Sequence, residues 1–495
     1  MTLGAFSRKK RIMASFALFF RLFGQILMVA AALMLLPFFD TLLSASMSEA
    51  WMFLLPSAAA FLTAMLFIRL ARRARRPMRV MEGALFMVLI FPVLGVYGML
   101  PLYFSGMAGL SAAFFEAVAT LTTTGLSNIG YRYAADSSLL LWHCLMSWLG
   151  GLIFILVLVT VLPQVSGCFG LTLTARQSIH FSPVWNKMRQ AGQHGFCAYL
   201  ALTVLSSAAF LLAGLTPFQA VIWAMTTISS GGAYTTAFMT RDSLPLEAAA
   251  VFSMLLAALN LLTLWRAFHA RQFFAFLGEK ELRLFLLVFL LSSALLTVNL
   301  WTTGAYSFFH ALRYGVFHAA SFLTTTGFAS APMENFPPFS KLLLLLLAFT
   351  GGSIASAGGG IKILRLLVLF RLARLEVRRT LHPHMVVSIS VDERPVSTKI
   401  VGRIRSFFYF YVMTFLLSAF VITLSGTDLM PSMGLAAAAL TSTGAISSLF
   451  GSWDFAVVPI WLKFFLTLVM VLGRIEIFSA LILVDGLLRV VRHRL

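Results

Sequence analysis

Acidic side chains are scarce in this chain: 17 Asp and Glu stand against 37 Lys and Arg, and charged residues make up only 11% of its 495 positions. Long polar stretches are missing as well, since 60% of the residues are hydrophobic and the mean hydropathy is +0.92. A soluble fold of this length cannot bury so much apolar surface, which leaves a polytopic membrane protein. The formal net charge of +20 invites a nucleic-acid reading. Against it, the Lys and Arg residues lie in clusters between apolar spans, where orientation rules put them, and no basic domain interleaved with aromatics is left to read a nucleic acid. Cysteine is nearly absent. Cys144, Cys168 and Cys197 form an odd set without ligand spacing, which supports neither a disulfide framework nor a metal site. A membrane enzyme would need a polar catalytic cluster near an interface, and no such cluster of His, Asp or Ser occurs.

What is there is a succession of apolar stretches of about 20 residues, the length that crosses a hydrocarbon core. The basic cluster Arg8-Lys9-Lys10-Arg11 precedes an apolar run to Phe39 that is longer than a signal-peptide core, so a retained first span is expected. The first two spans are read at 16–39 and 51–71, closed by the basic run Arg69 to Arg79. A pattern then recurs four times: a full span, a short apolar segment ending in Thr or Ser and Gly, a second full span, and a basic loop. The first unit uses 79–104, 111–127 and 138–163; the second 195–214, 218–232 and 244–268. The third uses 281–301, 307–327 and 338–373, and the fourth 403–425, 431–444 and 455–488. Segment boundaries follow at 1–78, 79–194, 195–280, 281–402 and 403–495.

The short segments end in Leu121-Thr122-Thr123-Thr124-Gly125, Ile228-Ser229-Ser230-Gly231, Leu323-Thr324-Thr325-Thr326-Gly327 and Leu440-Thr441-Ser442-Thr443-Gly444. If these segments dip in and return, both termini and the basic loops 164–194, 269–283 and 374–405 share one side, as the positive-inside bias requires. If they crossed fully, basic loops would alternate sides. Re-entrant backbone at membrane depth is tolerated where protein buries it or where it lines a watery cavity. The glycines Gly125, Gly231, Gly327 and Gly444 are spaced by 106, 96 and 117 residues. Similar spacings, each enclosing two full crossings, imply parallel units around an axis along the membrane normal. The expected fold is an all-α polytopic membrane protein with about ten full spans and four re-entrant pore loops in a pseudo-four-fold arrangement.

A cation entering a narrow pore sheds water, and rings of backbone carbonyls can replace that shell. Turning carbonyls inward demands backbone angles that glycine accepts, and short helices aimed at the centre by their C-termini favour a cation there. The runs contain no carboxylate, which argues against a charged-ring filter. The candidate ion ligands are Thr123, Thr124, Gly125, Ser229, Ser230, Gly231, Thr325, Thr326, Gly327, Ser442, Thr443 and Gly444. Taken singly, each run also fits a plain helix terminator.

These runs, with Phe115-Glu116-Ala117 before the first, Met225-Thr226-Thr227 before the second and Phe328 after the third, resemble the filters of the Trk/Ktr/HKT potassium-transporter superfamily. The chain is most similar to its bacterial TrkH-type membrane subunit. The likeness covers nearly the whole chain, including two extra N-terminal spans, and extends to Trp148-Leu149-Gly150-Gly151, Leu381-His382-Pro383-His384 and Gly473-Arg474-Ile475-Glu476-Ile477-Phe478. It implies four M1–pore helix–M2 units around one ion path, a homodimer, and potassium rather than sodium, because sodium-selective relatives place serine at the first filter glycine. The chain departs from the family in Ser230 and Ala233 of the second run and in Gly444-Ala445-Ile446 of the fourth, which lacks a Gly-Pro-Gly. The resemblance also implies a location in the bacterial inner membrane, and a TrkA-type cytoplasmic ring that binds NAD or adenine nucleotides as partner. No cofactor-binding domain is read in this chain, and potassium is the cargo.

One span is interrupted. Thr350 to Gly360 holds five glycines in eleven residues, each costing a helix about 1 kcal/mol relative to alanine. A P-loop is excluded because Ile361 and Ile363 flank Lys362 where Gly and Ser or Thr are required. Close helix packing through small residues is one reading; a flexible loop that blocks the pore is the other, and the resemblance implies that this position is the gate. The gate candidates are Gly351, Gly352, Ser353, Ser356, Gly358, Gly359, Gly360, Lys362 and Arg474. Arg474 is expensive in lipid and is expected to face inward, holding the loop by its carbonyls with Glu476 or another carboxylate nearby. Glu116 is read as scaffold, His310, His318, His382 and His384 as lacking metal-ligand spacing, and 386–396 as a small hairpin. The competing function is a symporter coupling potassium to protons or sodium, which acidic groups at mid-membrane would favour.

Overall fold

In a computed structural model, the described residues are 17–44, 49–71, 80–127, 137–160, 184–232, 242–271, 276, 278–382, 390–391, 394–396, 398–451, 453–455, 457–475 and 477–492. Seven helices among them are long and apolar enough to cross a membrane, or nine if each of two bent pairs counts as one span. Helices α1 (Ala17–Ser44) and α2 (Trp51–Leu70) form an antiparallel pair that packs on the first unit. That unit is α3 (Val80–Phe104), the short α4 (Leu110–Leu121) and α5 (Ser137–Thr160). The second is α6 (Val184–Leu212), the short α7 (Pro217–Ile228), α8 (Leu244–Ala257) and α9 (Leu261–His269). The third is α10 (Lys280–Thr302), the short α11 (Phe308–Leu323), α12 (Pro338–Thr350) and α13 (Ile363–Leu381). The fourth is α14 (Thr398–Thr423), the short α15 (Leu429–Thr441), α16 (Ile460–Arg474) and α17 (Ile477–Arg492).

The four short helices have 12, 12, 16 and 13 residues, or about 18 to 24 Å at 1.5 Å per residue, less than a hydrocarbon core of about 30 Å. Each packs between the two long helices of its own unit. The units also close on one another. The long helix after each short one packs on the next short helix: α5 on α7, α8 on α11, α12 on α15, and α16 back on α4. A cyclic set of four such seams is a pseudo-four-fold ring, so the all-helical, repeated architecture expected from the sequence is the one found.

Two expectations need correction. The spans read at 244–268 and 455–488 are not continuous: α8 and α9 meet at 93°, and α16 ends at Arg474 with α17 starting anew at Ile477. At the first break Asn260 caps α9, its Oδ1 accepting from the N–H groups of Leu262 (3.2 Å) and Thr263 (3.3 Å), so an internal cap redirects the chain where no glycine run does. The second spans of three units are therefore broken, not of one. The hairpin read at 386–396 appears as a two-residue pairing of β1 (Ser390–Val391) with β2 (Arg394–Pro395), Ser390 opposite Pro395. Cys168, Ala233, His384 and Glu476 lie outside the described residues.

Candidate functional site: four converging runs and the loop against them

Each short helix ends by throwing one hydroxyl residue into left-handed backbone: Thr123 (φ 55°), Ser230 (58°), Thr325 (59°) and Ser442 (56°). An L-residue there costs about 1–2 kcal/mol, a strain that folded structures keep chiefly at functional sites. The following residue then donates back into its helix, Thr124 to Ala119, Gly231 to Thr226, Thr326 to Ser321 and Thr443 to Ala438, at 2.9, 2.9, 2.9 and 3.1 Å. These two markers give one frame for all four runs: Thr122–Gly125, Ser229–Gly232, Thr324–Gly327 and Thr441–Gly444. In that frame the second run is shifted by one residue from the sequence reading. Gly232, not Gly231, stands with Gly125, Gly327 and Gly444, and Ser229 occupies the first position with Thr122.

The runs meet across the seams. The Gly444 N–H donates to the Thr124 carbonyl at 2.6 Å, and a Cβ on Gly444 would lie 2.7 Å from the Gly125 carbonyl oxygen. A Cβ on Gly232 would collide with the Thr326 carbonyl oxygen. One on Gly327, which has φ +77°, would sit 3.5 Å from the Ala445 nitrogen. The hydroxyls divide by position. In the first three runs the hydroxyls at positions one and three bond behind the runs, Thr122 Oγ1 with Thr124 Oγ1 (2.9 Å) and Thr324 Oγ1 with Thr326 Oγ1 (2.8 Å), and Ser229 Oγ with Ser147 Oγ of α5 (2.8 Å), whereas Thr441 Oγ1 of the fourth has no partner among the described residues. At position two, the buried hydroxyls of Thr123, Ser230 and Ser442 have no hydrogen-bond partner among the described residues. The fourth member of that set, Thr325 Oγ1, accepts the Gly359 N–H at 2.7 Å.

Gly359 belongs to the interrupted third unit. Residues 351–359 are all buried, so their backbone groups need partners. The ends of α12 and α13 are joined as a stem, Ile361 N–H to Phe349 O (2.9 Å) and Lys362 N–H to Thr350 O (3.0 Å). The tip is tied outward: Ser353 N–H donates to Ala258 O (2.9 Å), Leu261 N–H to Ala355 O (3.4 Å), and Ile354 N–H to Glu281 Oε1 (2.7 Å). Ala258 and Leu261 are the residues left open by the break between α8 and α9. On the other flank a Cβ on Gly358 would lie 2.7 Å from the Thr324 carbonyl oxygen, and one on Gly359 would collide with that of Thr441. The loop thus lies directly against the first-position carbonyls of runs three and four, an approach only glycine permits. Lys362 closes it, its Nζ donating to Ser356 Oγ (3.1 Å) and to Gly358 O.

The paired glycines Gly150-Gly151 have the same role in the first unit: a Cβ on Gly150 would collide with Leu121 O of its own short helix, and one on Gly151 would lie 3.1 Å from Cα of Ser229 in the next. In the fourth unit Gly473 meets Leu440 O, and the second glycine is replaced by Arg474. Arg474 is 1% exposed. The expectation that it holds the loop by its carbonyls is not met: its three guanidinium nitrogens have no hydrogen-bond partner among the described residues. Instead its Cζ lies 4.0 Å from the ring centroid of Phe154 on α5, and Lys362 Nζ approaches the same ring at 5.7 Å. Phe154 and Glu281 are site residues that the sequence reading missed. Glu281 carried a signal, an acid at the head of an apolar span; Phe154 carried none among 48 phenylalanines.

Glu116, fully buried in α4, accepts from Ser127 Oγ at 2.7 Å and lies 3.8 Å from His143 Nδ1. It ties the chain beyond the first run back to the helix before it, a bracing contact. His318 Nδ1 bonds the Tyr314 carbonyl (2.8 Å) and its ring packs on Phe336. His310 Nδ1 lies 3.0 Å from Ser307 Oγ.

A family model described as TrkH, cation transport protein, matches residues 57–488 of this chain. The Trk system potassium uptake protein TrkH of Halomonas elongata is 29% identical over 479 residues, covering 95% of this chain and 98% of the relative. Its namesake in Salmonella typhimurium is 30% identical over 426 residues, 83% of this chain and 86% of the relative. A crystal structure of the potassium transporter TrkH from Vibrio parahaemolyticus superposes with a TM-score of 0.86 at 27% identity, covering 95% of this chain and 98% of that one.

Proposed function

This chain belongs to the TrkH family of cation transport proteins, and we propose that it is the membrane subunit of a potassium-uptake system, passing the ion through the ring of four runs. The observation that carries the reading is the set of four buried hydroxyl residues in left-handed backbone, Thr123, Ser230, Thr325 and Ser442, at one position of a closed four-unit ring. Together with the carbonyls of the runs they supply oxygen ligands and no fixed charge, the donor set that suits a monovalent cation. Four short helices ending at the ring add partial negative charge of about half an elementary unit each.

The loop 351–362 is the gate in this reading. Its stem lies within the third unit, whereas its tip is tied to its surroundings by four hydrogen bonds, of Ser353, Ile354, Ala355 and Gly359. At about 1 kcal/mol each, these ties are weak enough for a conformational signal to overcome and strong enough to keep the path shut at rest. Phe154 meets both Lys362 and Arg474 with its ring, linking the loop to the break in the fourth unit. The signal is proposed to come from a cytoplasmic TrkA-type ring that binds NAD or adenine nucleotides, acting on a homodimer in the bacterial inner membrane with both termini cytoplasmic.

Transport is read as channel-like, driven inward by the membrane potential at about 2.3 kcal/mol per charge at 100 mV. Coupled symport is the second reading, favoured by the buried Glu116–His143 pair behind the first run. Purified protein in liposomes with a potassium gradient and no proton or sodium gradient separates the two. Rubidium uptake is expected under these conditions, and an absolute need for a second ion gradient would replace the channel by the symporter.

A further inference from the structure

Glu281 is an acid with no part in the ring of runs, yet it is nearly fully buried, 7% exposed, at the start of α10. Its Oε1 accepts the Ile354 N–H at 2.7 Å. It also accepts a hydrogen bond from the side chain of Asn260, which caps α9, and feels the charges of Glu279 and, more weakly, of Lys362 at the far end of the loop. Glu281 therefore touches two of the parts that must separate if the loop leaves the runs: the tip through Ile354 and the break of the second unit through Asn260. On either side of Ile354, Ser353 and Ala355 bond Ala258 and Leu261 of the same break. The Ile354 N–H lies among the buried apolar side chains of Ile354, Ala355 and Ala357, so removing its acceptor strands a buried donor.

We infer that Glu281 is the positioning residue that latches the tip of the loop against the break in the second unit. The inference rests on reading the loop as a gate. It assigns the resting state of that gate to one side chain outside the loop, and it makes the α8–α9 break the frame against which the gate is held.

Rubidium uptake by full-length protein in liposomes tests it. Glu281→Ala is expected to raise uptake by about tenfold, the factor that one lost hydrogen bond of ordinary strength allows. Glu281→Gln keeps an acceptor oxygen for Ile354 and should stay near the parent rate, whereas Ile354→Pro removes the donor from the other side and should match the alanine variant. Adding Glu281→Ala to a deletion of 353–357 is expected to change nothing further, because the latch then has nothing to hold. Raised uptake in the deletion with unchanged uptake in Glu281→Ala and Ile354→Pro would overturn the latch and leave the gate standing. Equal uptake in Glu281→Gln and Glu281→Ala would overturn it as well, since charge and not the acceptor would then matter. Unchanged uptake in the deletion would remove the gate itself.

Discussion

Replacing Gly232 by alanine puts a methyl group into the Thr326 carbonyl oxygen across a seam, and that oxygen belongs to backbone with no room to retreat. The same change at Gly231 meets Ser147 Oγ, a hydroxyl that a second substitution, Ser147→Ala, removes. Overpacking of this kind typically costs about 1–3 kcal/mol, enough for a tenfold effect on an ion path. Gly232→Ala is accordingly expected to cut rubidium uptake by about tenfold or more and to weaken discrimination against sodium, with Gly231→Ala plus Ser147→Ala close to the parent. Sodium competition against rubidium uptake in liposomes measures both, and the opposite order would restore Gly231 as the filter glycine. At this scale the runs themselves are legible in the sequence, because hydroxyl residues ending in glycine recur after segments too short to span. The register of the second is not: Gly231 and Gly232 are adjacent, and only the left-handed Ser230 and the bond from Gly231 to Thr226 distinguish them. Phe154 was invisible for a related reason, since a ring that carries two cations looks no different in sequence from one that faces lipid.

In the proposed gate, control lies with helices and their interruptions. The glycine-rich break in the third unit is legible because five glycines in eleven residues defeat a helix on propensity alone. The breaks in the second and fourth units are not, since Ala258-Leu259-Asn260 sits inside an apolar run without glycine or proline, and the single Gly473 before Arg474 is no more than a helix tolerates. Asn260 was the available cue: asparagine is a preferred cap, and inside an apolar span it has few other uses. The three breaks act together in the proposed gate. The second unit's break supplies the carbonyl of Ala258 and the N–H of Leu261, the third supplies the loop, and the fourth places Arg474 on Phe154 beside Lys362. Shortening the loop within 353–357 removes the three tip contacts while leaving the stem from Phe349 to Ile361 intact. Potassium or rubidium flux is expected to rise in such a deletion even without a cytoplasmic partner, and unchanged flux would mean that the loop is packing and not a barrier.

Across the whole molecule the ring is four-fold in its backbone frame and unequal in how its seams are fastened. Gly125 and Gly327, in opposite units, take φ of +73° and +77°, whereas Gly232 and Gly444 lie outside the left-handed region. The seam between the second and third units carries an ion cluster: Arg313 on α11 donates through Nε and Nη2 to both carboxylate oxygens of Glu247 on α8, at 2.6 and 3.0 Å, and reaches Asp242 at 2.7 Å. Glu247 is buried at 4% side-chain exposure and Arg313 half-buried at 16%, whereas Asp242 is 76% exposed. Removing one member of a buried pair leaves the other charge stranded, at about 3–5 kcal/mol when both are fully enclosed. The partial exposure of Arg313 puts the expected loss near the low end. Arg313→Met is therefore expected to lower the unfolding temperature and to loosen the third run, read as reduced rubidium uptake. Adding Glu247→Gln should recover part of both, because it removes the stranded charge. Thermal unfolding of the two singles and the double, with uptake measured on the same samples, gives the coupling. A double variant no better than Arg313→Met would show that the cluster does not fasten this seam, and would leave the small-residue contacts of Gly232 and Gly327 as what holds the second and third runs together.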